Sequence, residues 1–369
     1  MADARLQRLQ AEMEKDAVDL VALLPGPNLT YLSGLSFHLM ERPVVALIPR
    51  KGLPALVLPD LEAAKVAASR IPFIPFPYGE DDTSRTGAFL AMAKRMNLGA
   101  QKVAVEYRRM RVLELRLLEK AAPQMTTGEA DPLLARVRMY KEPAEAQAMR
   151  EAVRMAERAF EQTLPAIRPG VSELEIVAEL TLQTLRSGSD SELPFAPIVA
   201  CGPNAALPHA LPGERRLQAG DLVIVDWGAA HQGYFSDLTR TLAIGSLTDE
   251  LRLVYETVRR ANQAGREACR PGVTAGEVDA AARSVIAAAG YGERFVHRTG
   301  HGLGLEVHEE PFIREGSEVR LEPGMTFTIE PGIYLAGVGG VRIEDDVLIT
   351  AEGAETLSVY PRDLRVIAG

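Results

Sequence analysis

Several short stretches of this sequence set carboxylates and imidazoles beside the glycines and turns that can bring them together. Asp226 closes the apolar run Leu222-Val223-Ile224-Val225. A carboxylate ending a buried strand must be paired, hydrogen-bonded or on a metal, because an isolated buried charge costs too much. Asp237 follows eleven residues later, directly before the next apolar run, so a turn between the two strands would bring both carboxylates to one end of a hairpin. The segment His297-Arg298-Thr299-Gly300-His301-Gly302-Leu303-Gly304-Leu305-Glu306-Val307-His308 holds three of the chain's six histidines. Its glycines allow backbone to approach a ligand closely. Glu330 ends a further apolar strand, where Pro331 blocks continued pairing. Arg342, Glu344 and Asp346 alternate along Val341–Ile349, and a strand there would put all three on one face. Carboxylates in this number, with an imidazole, suit two divalent cations such as Mn2+, Co2+ or Zn2+.

Taken singly, each residue has an ordinary explanation: a strand-end Asp forms turns, a glycine-flanked His packs, and an alternating charged strand faces solvent. Their value lies in whether the surrounding elements converge. The first third of the chain alternates helical and extended patterns. A helix is predicted over 3–16, then a strand from Asp19 to Leu24 ended by Pro25-Gly26-Pro27-Asn28. A hairpin pairs Val44–Ile48 with Ala55–Leu58, helices lie near 61–69, 84–97 and 109–120, and a short strand spans Val103–Val105. This is an α/β domain. Pro123, Gly128, Pro132 and Pro143 mark an exit from it, giving a boundary near residue 135 and domains of 1–135 and 136–369.

Beyond the boundary, Met149, Val153, Ala156, Phe160 and Leu164 recur with helical spacing, with Glu142 and Glu145 in the first turn, where the helix dipole favours them. Further helices are predicted at 172–187, 249–269 and 275–289. Strands are predicted at Leu222–Asp226, Leu238–Ile244, Met325–Glu330 and Val341–Ile349. The mixed order, without strict alternation, points to an α+β sheet with helices on one face.

The order and spacing of Asp226, Asp237, His301 in Gly-His-Gly-Leu-Gly, Glu330 before Pro-Gly, and Glu344 in Val-Arg-Ile-Glu-Asp resemble the five metal ligands of the creatinase, aminopeptidase P and prolidase family. The first domain is similar to the smaller N-terminal domain of that family, notably in Asn28-Leu29-Thr30-Tyr31-Leu32-Ser33-Gly34. The resemblance implies a pita-bread catalytic domain, a homodimer, and a dinuclear centre that hydrolyses the bond before a proline at the second position of a small peptide. It implies that Asp226 and Asp237 hold one ion and His301 and Glu330 the other, with Asp237 and Glu344 bridging. Glu330 matches the catalytic glutamate. His209 matches a histidine that contacts substrate or shuttles protons, His297 and His308 the pair flanking the proline pocket, and Arg342 an orienting arginine. His231 and His38 match nothing in these motifs, and His231 is expected in an exposed turn.

Arg298 departs from the commonest pattern, in which a small residue follows the first histidine. A guanidinium near the proline pocket could grip a free C-terminal carboxylate bidentately, which a dipeptide brings and a longer peptide does not. Some bacterial prolidases look similar here and carry charges in a small-domain loop, in this chain His38, Glu41 and Arg42, which could reach a partner's cleft. The preferred reading is therefore a Xaa-Pro dipeptidase. The alternatives are a Xaa-Pro aminopeptidase acting on longer peptides, creatinase-type amidinohydrolysis, a methionine aminopeptidase, and a metal-free binding module of the same fold.

Composition agrees with an enzyme in a reducing cytoplasm. Of 369 residues, 47% are hydrophobic and 25% charged, enough to build two ordinary cores. A net charge of −9 opposes binding to nucleic acid or an anionic membrane. Cys201 and Cys269 are too few and too far apart for a disulfide framework. The start, Met1-Ala2-Asp3-Ala4-Arg5, has no apolar leader stretch, and no apolar run reaches the roughly 18 residues of a membrane span.

Overall fold

The computed structural model describes residues 4–369, so the first three residues, including the first position of the helix expected over 3–16, lie outside it. The chain divides into two units, one ending at Arg138 and the other spanning Met139–Gly369.

The first unit is built from α1 (Ala4–Lys15), β1 (Leu20–Leu23), α2 (Pro27–Ser33), β2 (Val45–Pro49), β3 (Ala55–Pro59), β4 (Ile74–Tyr78), α3 (Asp82–Arg95), β5 (Lys102–Val105), α4 (Val112–Ala121), β6 (Thr126–Glu129) and α5 (Asp131–Arg138). Its six strands lie in the order β4-β3-β2-β1-β5-β6. The expected hairpin is present, with β2 antiparallel to β3, while β1 runs parallel to β5. Two local expectations need correcting. The stretch near 61–69 is a 3-10 helix, Asp60–Ala68, that buries none of its residues and so lacks the packed face that holds an α-helix together. Residues 121–143 hold β6 and α5 as well as connections; Gly128 sits on an edge strand and Pro132 in the first turn of a helix, places where both are tolerated.

The second unit comprises α6 (Pro143–Thr163), α7 (Glu173–Arg186), β7 (Ile198–Cys201), β8 (Leu222–Trp227), β9 (Ala230–His231), β10 (Tyr234–Phe235), β11 (Leu238–Ile244), α8 (Asp249–Ala268), α9 (Ala275–Ala288), β12 (Gly300–Gly302), β13 (Glu309–Ile313), β14 (Thr326–Ile329), β15 (Gly332–Leu335), β16 (Gly339–Arg342), β17 (Asp345–Ile349), β18 (Ala354–Thr356) and β19 (Arg365–Ile367). Local chemistry sets the helix starts. Ser172 with Glu175, and Thr274 with Glu277, form capping boxes, and Thr248 accepts from the Leu251 amide. The amphipathic helix α6 buries Met149, Val153, Ala156 and Phe160. Phe160 stacks on Trp227 of β8 with ring centroids 4.3 Å apart, and the Trp227 indole donates to the Ala156 carbonyl at 2.9 Å. Such an aromatic pair contributes about 0.5–1.5 kcal/mol beyond its buried area.

Two sheets carry the unit, in the orders β19-β11-β8-β7 and β13-β12-β14-β17-β18, and an isolated bridge pairs Thr239 of β11 with Glu344. That bridge marks the main departure from expectation. Val341–Ile349 is two strands, β16 and β17, which belong to different sheets and break at Ile343-Glu344. Arg342, Glu344 and Asp346 therefore do not share one strand face. His231 also differs: it is half-buried in β9, and the turn falls on Gln232-Gly233, both with positive φ. Among the described residues, no helix is long and apolar enough to cross a membrane.

Candidate metal centre and active site

Strands β8 and β11 pair antiparallel with Asp226 opposite Thr239. Side chains alternate along β11, so Asp237, two residues before Thr239, points to the same face as Asp226. On the other sheet, β12 threads between β13 and β14 through Gly300 and Gly302. A Cβ on Gly300 would lie 1.8 Å from the Thr328 carbonyl oxygen, and one on Gly302 would lie 2.2 Å from that of Glu310. Only glycine fits at both positions, and His301 between them projects the opposite way into the cavity. Glu330 lies just beyond β14, its amide donating to the Thr299 carbonyl at 2.7 Å.

Ten of the residues singled out in the sequence line one cavity of about 740 Å³: His209, Asp226, Asp237, His297, Arg298, His301, His308, Glu330, Arg342 and Glu344; Asp346 does not line it and instead accepts from the Asp237 amide at 3.1 Å. Ligand atoms of Asp237, His301 and Glu344 lie within 4.8 Å of one another. His301 Nε2 is 3.3 Å from Glu330 Oε1 and 3.7 Å from Asp237 Oδ2.

The electrostatics of this cluster are unfavourable without a cation. Burial, then the neighbouring acids, pushes Asp237 and Glu344 well above the usual carboxylate range. Burial also raises Asp226, and lifts Glu330 to about 7. Burial and the nearby His308 hold His301 well below its ordinary value, so its imidazole is neutral. Its Nδ1 lies 3.1 Å from the Gly302 carbonyl, which assigns the proton to Nδ1 and leaves the Nε2 lone pair facing carboxylate oxygens. Asp226 Oδ1 is buried without a hydrogen-bond partner. A lone pair and an orphan carboxylate oxygen among crowded acids are a donor set that fits divalent cations.

Neighbouring side chains hold these donors in place. Arg342 donates to Asp226 through Nη2 and to the Tyr334 hydroxyl at 3.0 Å, and Tyr334 lies 2.8 Å from His297 Nε2. Burial would weaken the Arg342 charge, but Tyr334 and the acids hold its pKa well above the ordinary value. Thr239 donates to Glu344 at 2.6 Å. Burial lowers His297 to about 4, keeping it neutral, and the His308 ring packs edge-on against His301 at 4.3 Å. Lys141 and Glu309 form a buried ion pair at 3.0 Å beneath the loop that carries His308.

Arg298 is half-buried, with its guanidinium 4.3 Å from the Phe312 ring centroid. Among the described residues no carboxylate lies within 4.0 Å of it, while burial lowers its pKa and the charges of Glu330 and Glu310 act in the opposite sense. In the first unit, Arg42 of the exposed 38–42 loop pairs with Glu80 and Glu41.

Sequence reasoning did not select Tyr334 or Thr239, although Thr239 follows Asp237 by two residues and Tyr334 follows Glu330 by four. It also missed the apolar wall of Pro194, Phe195, Ile198, Pro208 and Val307, which comes mostly from irregular segments with no periodic signal.

A cluster of this kind belongs to hydrolases that work through divalent cations. Comparison with known proteins makes the class specific. Residues 147–351 match the model of metallopeptidase family M24, and residues 5–140 match the creatinase/prolidase N-terminal domain. The chain is 35% identical to a Xaa-Pro dipeptidase of Lactobacillus delbrueckii subsp. lactis, covering 98% of each chain. It is 39% identical to the probable dipeptidase PepE of Mycobacterium tuberculosis, over 94% of this chain and 92% of that one. The crystal structure of a prolidase from Thermococcus sibiricus superposes with a TM-score of 0.93 at 33% identity, covering 100% and 99% of the two chains. The chain belongs to metallopeptidase family M24. Its fold is accordingly a creatinase-like α/β domain followed by an α+β pita-bread domain.

Proposed function

We propose that this protein is a Xaa-Pro dipeptidase that works in the cytoplasm as a homodimer and releases a C-terminal proline from a two-residue peptide. One observation carries the dipeptide preference: Arg298 lines the cavity as a half-buried cation that, among the described residues, makes no ion pair within 4.0 Å. A substrate with its own carboxylate beside the scissile bond supplies a partner. The dipeptidase names of the full-length relatives support the same reading.

In this reading Asp226, Asp237, His301, Glu330 and Glu344 would hold two divalent ions, Mn2+, Co2+ or Zn2+. Such ions, when bound, lower the pKa of a hydrolytic water and polarise the scissile carbonyl. Glu330 takes the proton from the attacking water and returns it to the proline nitrogen as the C–N bond breaks. Neutral His297, its Nδ1 donating to the Arg298 carbonyl and its Nε2 accepting from Tyr334, flanks the proline ring together with His308, and His308 hydrogen-bonds to the oxygen on which charge develops. His209, which also lines the cavity, contacts the substrate. Arg342 keeps Asp226 oriented, and Arg298 binds the proline carboxylate.

The test is kcat/KM on Leu-Pro against Leu-Pro-Gly, with Mn2+, Co2+ and Zn2+ added in turn. Faster cleavage of the tripeptide replaces this reading with a Xaa-Pro aminopeptidase.

A further inference from the structure

We infer that Asp279 and Arg283, one turn apart on α9, are positioning residues for the segment bearing His297 and Arg298, and that dipeptide selectivity depends on them. The inference rests on the proposed dipeptidase reading. Residues 295–299 run irregularly into β12, so the carbonyls of Phe295 and His297 have no sheet ladder to join. Arg283 supplies their donors, Nη1 to Phe295 at 3.1 Å and Nη2 to His297 at 2.9 Å, and its guanidinium lies 4.2 Å from the Phe295 ring centroid.

Asp279 is buried and grips Arg283 with both oxygens, at 2.9 Å each. Its Oδ1 also accepts from the Thr299 hydroxyl at 2.7 Å and the Thr299 amide at 3.2 Å. The Thr299 carbonyl in turn accepts the Glu330 amide at 2.7 Å. One carboxylate and one guanidinium thus fix the backbone on both sides of Arg298 and reach the backbone of Glu330.

The consequence for selectivity follows from what Arg298 lacks. With no ion pair of its own, its head is placed by its backbone and by Phe312. A planar fork spans two carbonyls and a carboxylate together, which a lysine ammonium cannot do. A shift of about 1 Å in a substrate-gripping group can cost up to about a hundredfold. A role confined to stability would lower the melting temperature and leave the dipeptide-to-tripeptide ratio unchanged. A positioning role moves the ratio, through KM for the dipeptide.

The experiment uses the metal-loaded enzyme and its Arg283→Lys, Asp279→Asn and Arg298→Ala variants, with Arg283→Lys also made on Arg298→Ala. Melting temperature, kcat and KM are measured on Leu-Pro and Leu-Pro-Gly. Asp279→Asn keeps an acceptor for Thr299 while losing the charge that holds Arg283, and either variant carries the test if the other does not fold. The expected result is a loss of about tenfold in the Leu-Pro preference, seen in KM, with no added loss of preference on the Arg298→Ala background. An unchanged ratio in Arg283→Lys and Asp279→Asn, beside a lost ratio in Arg298→Ala, overturns this inference alone. A further loss of ratio on the Arg298→Ala background overturns it too. An unchanged ratio in Arg298→Ala overturns the dipeptidase reading and this inference together.

Discussion

Arg342 donates through Nη2 to Oδ2 of Asp226 and leaves Oδ1 of the same carboxylate buried without a partner. One oxygen is held so that the other stays available. Removing an outer hydrogen bond to a metal ligand typically costs about 10–100-fold in metal affinity. Arg342→Met is therefore expected to lose its ions to a chelator at about 10–100-fold lower chelator concentration than the unmutated protein, measured by metal content after dialysis. Unchanged retention removes Arg342 as the group that orients Asp226.

The pH dependence of stability should differ between the metal-loaded and the chelated protein. Asp226, Asp237 and Glu344 have raised pKa values, and Glu330 is raised to about 7, so the folded metal-free protein retains protons that the unfolded chain releases above about 4.5. Stability of the chelated protein should therefore fall as pH rises through about 7. The depressed values of His297 and His301 act the opposite way, making stability rise with pH, but only below the ordinary histidine value near 6.5. Above that pH the carboxylate effect stands alone. The gap in melting temperature between metal-loaded and chelated protein should widen as pH rises through about 7, and a constant gap would show that these acids do not share a cation.

Glu330→Gln keeps the shape of the side chain but removes the basic oxygen. Turnover should fall about 10²–10⁴-fold, the usual worth of a positioned general base, while KM changes much less. Metal content must be measured beside the kinetics, because Glu330 also lies 3.3 Å from His301 Nε2. Near-normal kcat in the metal-loaded variant would give the proton transfer to another group.

Arg298→Ala should raise KM for Leu-Pro about tenfold to a hundredfold and leave Leu-Pro-Gly nearly unchanged. A charge-assisted contact of about 1.5–3 kcal/mol sets that range. Because the carboxylate contact is the same in ground and transition states, kcat should hardly move. Equal losses on both peptides would mean that Arg298 supports the cavity wall and not the substrate.

Lys141→Met removes one member of the buried pair with Glu309, side chains that are 2% and 7% exposed. Leaving the other charge buried costs about 3–5 kcal/mol, so denaturant unfolding should show a loss of that order. The double change Lys141→Met with Glu309→Leu should recover part of it. No recovery would mean that Glu309 is needed for its bond to the Glu306 amide, at 3.0 Å, more than for its charge.

Much of the site could be read along the chain because its donors stand at the ends of apolar strands. Buried runs such as Leu222–Val225 and Leu238–Ile244 announce their strands, and an acid at such an end is costly enough to need a reason. Glycine at 300 and 302 carried similar information, since close backbone approach excludes any side chain there. Helix starts were local as well, set by capping pairs three residues apart such as Thr274 and Glu277.

Other features were decided only when distant segments met. The break at Ile343-Glu344 has no local breaker residue, and it arises because Glu344 bridges to Thr239 of the other sheet while its neighbours join different partners. The edge strand β4 contains Pro75 and Pro77, and the sheet edge, not the local pattern, is what makes them tolerable. Tyr334 is an ordinary apolar-strand residue until Arg342 and His297 converge on its hydroxyl. The type and order of the donors follow from the cost of burying charge and the space a backbone needs, which act within a few residues. Their distances, their protonation and the half-buried setting of Arg298 depend on long-range packing, because an electric field and a dry cavity belong to all the segments that enclose them.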